Sequence, residues 1–406
     1  MTEQLPLSEE LTWRGFINQS TFAKLEDINE PRTFYWGVDP SADSMQVGNL
    51  APAMMVRHFL EHGHKAILLV GGATGMIGDP DGKKQERDLK TLDEIAKNKA
   101  AIAEQYKTIF AGYDFEIVDN YDWFQNINYL DFLRDVGKHA SMTQMLDRDF
   151  VQNRIGKDGD GISYAEFSYS LIQGYDFLHL FREKGASLQL AGADQWGNSI
   201  TGVSLIRRLE GAEAHVLTNP LIVNKQTGVK FGKSEGGAIW LDPVKTSPYK
   251  FYQFWLNVDD ETAKDLVKIY TLLDKPTIDA LLERHAEAPH VRELQKTLAR
   301  EVTELVHGKK RRESVERVTA VLFGGEVIES LSSDDLDALA AEIPAAKPKN
   351  LITILQSAGV VQSTGEAKRL IVNSGISING KKISEDSHVN SPSLIKKGKN
   401  TFILVR

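Results

Sequence analysis

Ala66-Ile67-Leu68-Leu69-Val70 is apolar without a break. A strand with no polar face is covered on both sides, as in a parallel sheet between helices. Thr33–Val38 reads as a second strand. Residues 50–62 between the two repeat their apolar positions at helical spacing. Asn49 is the expected N-cap of that helix and Gly63 its expected stop. Strand, helix and strand make a βαβ unit, whose ligand end lies at the carboxyl ends of its strands.

Residues 187–191 and 216–223 look like further strands. Helices and loops from about 79 to 186 are expected to separate the two strand groups, as an insertion would. After Trp240 the pattern is helical, over 261–272, 276–285, 291–307 and 312–322, with no strand signal. Two prolines, Pro344 and Pro348, mark a linker. Beyond it two helices and a hairpin are expected. Ser363-Thr364-Gly365-Glu366 has capping-box spacing, and Ile378-Asn379-Gly380-Lys381 signals a two-residue hairpin turn.

The 406 residues suit two or three domains, and 41% apolar residues suffice for a sizeable core. No apolar run reaches membrane-spanning length. The first ten residues are polar and acidic, without a signal-peptide core. With no cysteine there is no disulfide, thiolate nucleophile or thiolate metal site. A cytoplasmic protein without membrane contact is expected. Net charge is −8, which disfavours nonspecific nucleic-acid binding by the whole surface. Its distribution is uneven. Residues 347–406 hold ten Lys/Arg against three acids, so a basic tail follows an acidic body. That arrangement suits a localised polyanion contact.

Val229-Lys230-Phe231-Gly232-Lys233-Ser234 sets two lysines three residues apart, then a hydroxyl, in a glycine-relaxed loop. Lysine ammoniums act as point charges on phosphate oxygens, and glycine lets the backbone approach. Gly71-Gly72-Ala73-Thr74-Gly75-Met76-Ile77-Gly78-Asp79-Pro80 follows the buried strand. It lacks the spacing of a dinucleotide fingerprint. Gly78 to Lys83 is no P-loop either, having three residues between its glycines and Lys84 where a hydroxyl should meet magnesium. Tyr169, Gln173 and Asp176 share one helix face, with apolar residues on most others, so this polar stripe must face a polar cavity or a ligand.

Taken in chain order, Asp43-Ser44-Met45-Gln46-Val47-Gly48-Asn49-Leu50, Asp194-Gln195-Trp196-Gly197-Asn198 and the lysine loop resemble the signatures of class I aminoacyl-tRNA synthetases. They are closest to the bacterial tyrosyl-tRNA synthetases, and the resemblance covers nearly the whole chain. It implies an α/β architecture. A Rossmann-like parallel-sheet catalytic domain would span 1–240, with an inserted helical segment at about 80–186. An all-helical anticodon-binding domain over 241–338, a linker at 339–349 and a small α+β RNA-binding domain over 350–406 would follow.

The resemblance also implies site roles. Tyr35 and Asp176 would bind the phenol hydroxyl of L-tyrosine, Tyr169, Gln173 and Asp79 its ammonium, and Gln195 its carboxylate. ATP would lie against Gly37, Asp39, Ser41, Gln46, Gly48, Asn49, Gly192, Asp194, Lys230 and Lys233, with Asp194 on the ribose. Lys83, Arg87, Lys230 and Lys233 would draw charge off the phosphates, with Ser41, Gln46 and Ser234 as neutral donors. Magnesium would accompany ATP, with no tightly bound cofactor and no protein metal site. Lys368, Arg369, Lys381 and Lys382 would meet tRNA phosphates, and Lys309-Lys310-Arg311-Arg312 is a second basic candidate. A homodimer through the inserted region is implied as well.

Two features depart from the family. Gln46-Val47-Gly48-Asn49 stands where His-x-Gly-His is usual, so two amides replace two imidazoles. Each amide can donate to a phosphate or ribose oxygen, and neither can carry charge. Asn49 is equally readable as a plain helix cap. Trp36 stands where a small residue usually adjoins the ribose, and either narrows the site or points away. The competing functions are a tryptophan-specific relative, a nucleotidyltransferase and a catalytically silent RNA-binding relative. Tyr35 with Asp176 favours tyrosine, because indole offers no hydroxyl.

Overall fold

In the computed structural model, the described residues are 5–80, 90–156, 161–234 and 237–406, with backbone only for 149, 150, 233 and 234. The chain divides into two compact units. The first holds residues 1–246 and 256–302, the second 247–255 and 303–406. The helical stretch 241–338, expected as one domain, is thus shared between them.

A six-stranded sheet organises the first unit: β1 Gln19–Ser20, β2 Thr33–Val38, β3 Lys65–Val70, β4 Phe115–Asp119, β5 Leu188–Gly192 and β6 His215–Asn219. Its order is β1-β6-β5-β2-β3-β4. All pairs are parallel except the edge pair β1–β6. Helix Val47–Glu61 joins β2 to β3, Leu92–Ile109 joins β3 to β4, and Trp196–Glu210 joins β5 to β6.

Three expectations need correction. The span from 79 to 186 is not strand-free, because β4 extends the parallel sheet. Its Phe, Ile and Val are interrupted by Glu116 and followed by Asp119, and no residue of this edge strand is fully buried. The strand expected at 216–223 ends at Asn219, where Pro220 removes the next backbone donor. Asn49 is not the N-cap. The helix starts one turn earlier with Gln46 as N-cap, and Asn49 Oδ1 accepts from the Gln46 backbone N–H at 3.0 Å.

Tyr164–Lys184 and Trp196–Glu210 cover one sheet face, in a core with Tyr35, Ile67, Leu178 and Val216. They cross closely at two glycines. A Cβ on Gly202 would lie 2.8 Å from Phe177 Cβ, and one on Gly174 would lie 2.9 Å from Thr201 Cγ2. Ser163 opens the first helix with a capping box to Glu166, whose carboxylate also pairs with buried Arg154 at 2.9 Å.

In the second unit, helices Lys309–Thr319 and Ser333–Ala340 precede a small α+β module. Its strands order as Lys381–Lys382, Ile376–Ile378, Ser393–Lys397, Thr401–Val405 and Ala345–Ala346. The last pair is parallel, so the stretch 339–349, read as a linker, carries an edge strand of this sheet. One sheet face packs Ile395, Ile403 and Val405 on Leu351 and Ile371. The other packs Leu394, Phe402 and Leu404 on Val318, Leu322 and Leu339. The hairpin turn takes Asn379 at φ 47° and Gly380 at φ 78°, as a type I′ turn requires. Ser363 accepts from the Glu366 N–H, while the Glu366 carboxylate reaches back to the Gln362 N–H. No described helix is long and apolar enough to cross a membrane.

Candidate active site

A cleft of about 340 Å³ opens at the carboxyl ends of β2, β5 and β6. Its lining includes Tyr35, Asp79, Tyr169, Gln173, Asp176 and Gln195. It also includes Gly37, Asp39, Ser41, Gln46, Gly48, Asn49, Gly192, Asp194 and Lys230. Residues nearly 200 apart in sequence therefore share one cavity. Lys83 and Arg87 lie outside the described residues. Lys233 and Ser234 pair as backbone with Gly237–Ala238, and their side chains are likewise outside the description.

At one end the Asp176 carboxylate is fully buried. Trp123 Nε1 donates to its Oδ1 and Asn120 Nδ2 to its Oδ2, both at 3.0 Å. Burial pushes this carboxyl well above the usual range, against the pull of those two donors. The buried Tyr35 hydroxyl has no hydrogen-bond partner among the described residues. Burial, then Asp176, raises its pKa well above a free phenol's.

A polar chain leads inward from Asp176. Asn120 Nδ2 also donates to Thr74 Oγ1 at 3.1 Å, and Thr74 donates to Asp39 Oδ1 at 2.6 Å. Tyr169 donates to the other Asp39 oxygen at 2.6 Å. Gln195 Nε2 donates to Asp79 Oδ2 at 2.5 Å, and Asn198 Nδ2 donates to Gln195 Oε1 at 3.1 Å. The middle of the cleft is thus acidic and rigidly bonded, as a site for an ammonium should be.

The other end brings the glycine-bearing helix start and the lysine loop together. Val47 N–H donates to the Ile239 carbonyl at 3.0 Å, and Leu241 N–H to the Met45 carbonyl at 3.0 Å. Gly232 has φ 94°, and a Cβ there would come within 3.2 Å of the Gly48 nitrogen. Helix Val47–Glu61 turns its amino end, with its partial positive charge, to this part of the cleft. Lys230 Nζ stands 3.8 Å from Asp194 Oδ2. Trp36 borders the cleft and is 3% exposed. Its ring packs on Tyr106 and Phe110, at centroid distances of 5.4 and 6.2 Å.

Asn120 and Trp123 escaped the sequence reading, and Thr74 entered it only within the glycine-rich run. The available signal was position: Asn120 and Trp123 follow directly on the carboxyl end of a parallel strand, where ligands bind. Without recognising β4, nothing marked them.

Lys368, Arg369, Lys381 and Lys382 are all exposed on the small module. Of the second basic run, Lys310 lies 3.1 Å from Asp334, and Arg312 lies 3.0 and 2.6 Å from Glu304 and Glu316.

Residues 26–324 match the family described as tRNA synthetases class I (W and Y). The chain belongs to this family and has its mixed α/β class I fold. The Tyrosine--tRNA ligase of Bacteroides fragilis is 43% identical over 427 aligned residues, covering 98% of each chain. A C-terminally truncated mitochondrial tyrosyl-tRNA synthetase of Aspergillus nidulans superimposes with a TM-score of 0.71 at 30% identity, over 79% of this chain and 95% of that one. A tryptophanyl-tRNA synthetase of Encephalitozoon cuniculi shares the fold alone, with a TM-score of 0.55 at 15% identity, over 82% and 91%.

Proposed function

We infer that this chain is a tyrosine–tRNA ligase. The carboxylate of L-tyrosine attacks the α-phosphorus of ATP, pyrophosphate leaves, and the 3′-terminal ribose of the tRNA then takes the tyrosyl group from the adenylate. The nucleophile is already ionised at neutral pH, so no general base is needed in the first step. The rate then rests on alignment and on positive charge at the leaving phosphates. Magnesium enters with ATP, held mainly by phosphate and water.

The observation that carries this reading is one cleft lined by Tyr35, Asp176, Asp194 and Lys230. Tyr35 and Asp176 take the phenol hydroxyl. Tyr169, Gln173 and Asp79 hold the ammonium, with Asp39 behind Tyr169. Gln195 serves the substrate carboxylate and Asp194 the ribose. Ser41, Gln46, Asn49, Lys230, Lys233 and Ser234, with Lys83 and Arg87, serve the phosphates and ribose. A tryptophan substrate would leave the buried Tyr35 hydroxyl and Asp176 without a hydroxyl to meet, which disfavours that alternative.

The helices of 241–338 and the module of 350–406 hold the tRNA, the latter through Lys368, Arg369, Lys381 and Lys382. Two copies pair through the inserted segment. Support for that pairing is the exposure there of Tyr129, Leu130, Met142, Leu146 and Tyr164. The reaction belongs to the cytoplasm, where tRNA is charged. Charging of bulk tRNA with labelled tyrosine tests the assignment. No tyrosine-dependent charging, with intact protein, would overturn it.

A further inference from the structure

Asn219 ends β6, level with Gly192 of β5. It is 3% exposed and lines the cleft. Its Nδ2 donates to the Pro220 carbonyl at 3.0 Å. Only an N–H can face that carbonyl, so the orientation of the amide is fixed and Oδ1 must turn away. Oδ1 is buried, and nothing among the described residues donates to it. A buried acceptor left so is destabilising, and such groups call for an explanation.

Strand alternation says which end of the cleft Asn219 serves. Val216 shares a core with Tyr35, under the helices Tyr164–Lys184 and Trp196–Glu210. Leu217 and Asn219 therefore stand on the opposite sheet face. Trp36 stands on that face too, one residue past Tyr35. Gly48, Ala51 and Pro52 of helix Val47–Glu61 line the same cleft. They offer a flat, largely apolar wall for the face of a base. Asp194, a carboxylate, suits the ribose hydroxyls. What is left for a neutral acceptor is a donor on the edge of the base.

We propose that Asn219 Oδ1 accepts a hydrogen bond from the 6-amino group of adenine and thereby selects ATP over 6-keto purine nucleotides. Guanine and hypoxanthine present a carbonyl at that edge, and two acceptors facing each other repel. This inference rests on reading the cleft as the ATP site.

The test is tyrosine-dependent pyrophosphate exchange by the full chain. It is run with ATP, with inosine triphosphate and with purine ribonucleoside triphosphate, which has hydrogen at position 6. In the unsubstituted chain, removing the amine should lower kcat/KM about tenfold, the worth of one hydrogen bond in a dry site. The 6-keto nucleotide should fare worse still. Asn219→Leu should lower kcat/KM for ATP about tenfold. It should leave the purine analogue unchanged and narrow the ATP-to-inosine ratio. The KM for tyrosine should not move. Equal loss with ATP and the analogue, or an unchanged ratio, would overturn the proposal. So would equal use of the two nucleotides by the unsubstituted chain, which needs no variant to fold. No exchange with any nucleotide would instead count against the tyrosine–tRNA ligase reading.

Discussion

The Tyr169 hydroxyl donates to Asp39 Oδ2 at 2.6 Å, tying the long buried helix to the loop after β2. Burial, then Asp39, holds the phenol well above its ordinary pKa, so it stays a donor at all working pH. Tyr169→Phe removes the hydroxyl oxygen proposed to accept from the substrate ammonium, a hydrogen bond to a charged group worth about 1.5–3 kcal/mol. The dissociation constant for tyrosine should rise about ten- to a hundredfold. Equilibrium dialysis with tyrosine alone measures it, and an unchanged constant would remove Tyr169 from the ammonium site.

Tyr35 has a buried hydroxyl without a partner among the described residues. Tyr35→Phe should weaken tyrosine binding and leave phenylalanine binding nearly unchanged. The ratio of kcat/KM for the two amino acids should fall about tenfold, as one neutral hydrogen bond would give. Parallel exchange assays with both amino acids read this ratio directly.

His64 is buried against Phe34 and Phe59, and its Nδ1 accepts from the Arg32 N–H at 3.2 Å. Burial, then the charges of His62 and Arg32, pulls its pKa down to about 4. Between that value and the ordinary histidine value near 6.5, the unfolded chain binds a proton that the folded chain refuses. Stability from this group is therefore complete above about pH 6.5 and is lost as pH falls toward 4. The melting temperature should drop over that window. In His64→Phe the slope should be shallower, as thermal unfolding at a series of pH values would show.

Lys381 and Lys382 form an exposed edge strand of the small module. Replacing both by Ala should leave pyrophosphate exchange unchanged and raise the KM for tRNA severalfold. That effect should shrink as salt is raised. Charging kinetics at two ionic strengths measure both. Truncation near Pro344 would be a poorer test. It would strip Leu394, Phe402 and Leu404 from Val318, Leu322 and Leu339, opening the second unit's own core.

The two central strands and the helix between them were legible because the sequence rule and the environment agree there. A strand covered on both faces must be apolar along its covered length, and residues 66–70 are. Phe115–Asp119 was not legible, because an edge strand needs only part of that signal. Asn120 and Trp123 became visible only with it, since their partner Asp176 is more than 50 residues away. The stretch 339–349 misled for a related reason. Prolines mark a linker only where the chain beyond them is independent, yet Phe402-Ile403-Leu404-Val405 buries both faces of its strand. A fully apolar strand implies a second packing partner, here the helices before the prolines. Asn49 shows the limit of motif reading. Its side-chain oxygen accepts from the Gln46 N–H, which orients the amide and leaves its N–H groups free of that cap.

The most direct measurement is exchange of labelled pyrophosphate into ATP by the purified chain, with each amino acid supplied singly. Incorporation with tyrosine alone, with tryptophan and phenylalanine near background, is the predicted result. Incorporation with tryptophan and not tyrosine, or none with any amino acid, would contradict the reading of Tyr35 and Asp176 as the grip on a phenol.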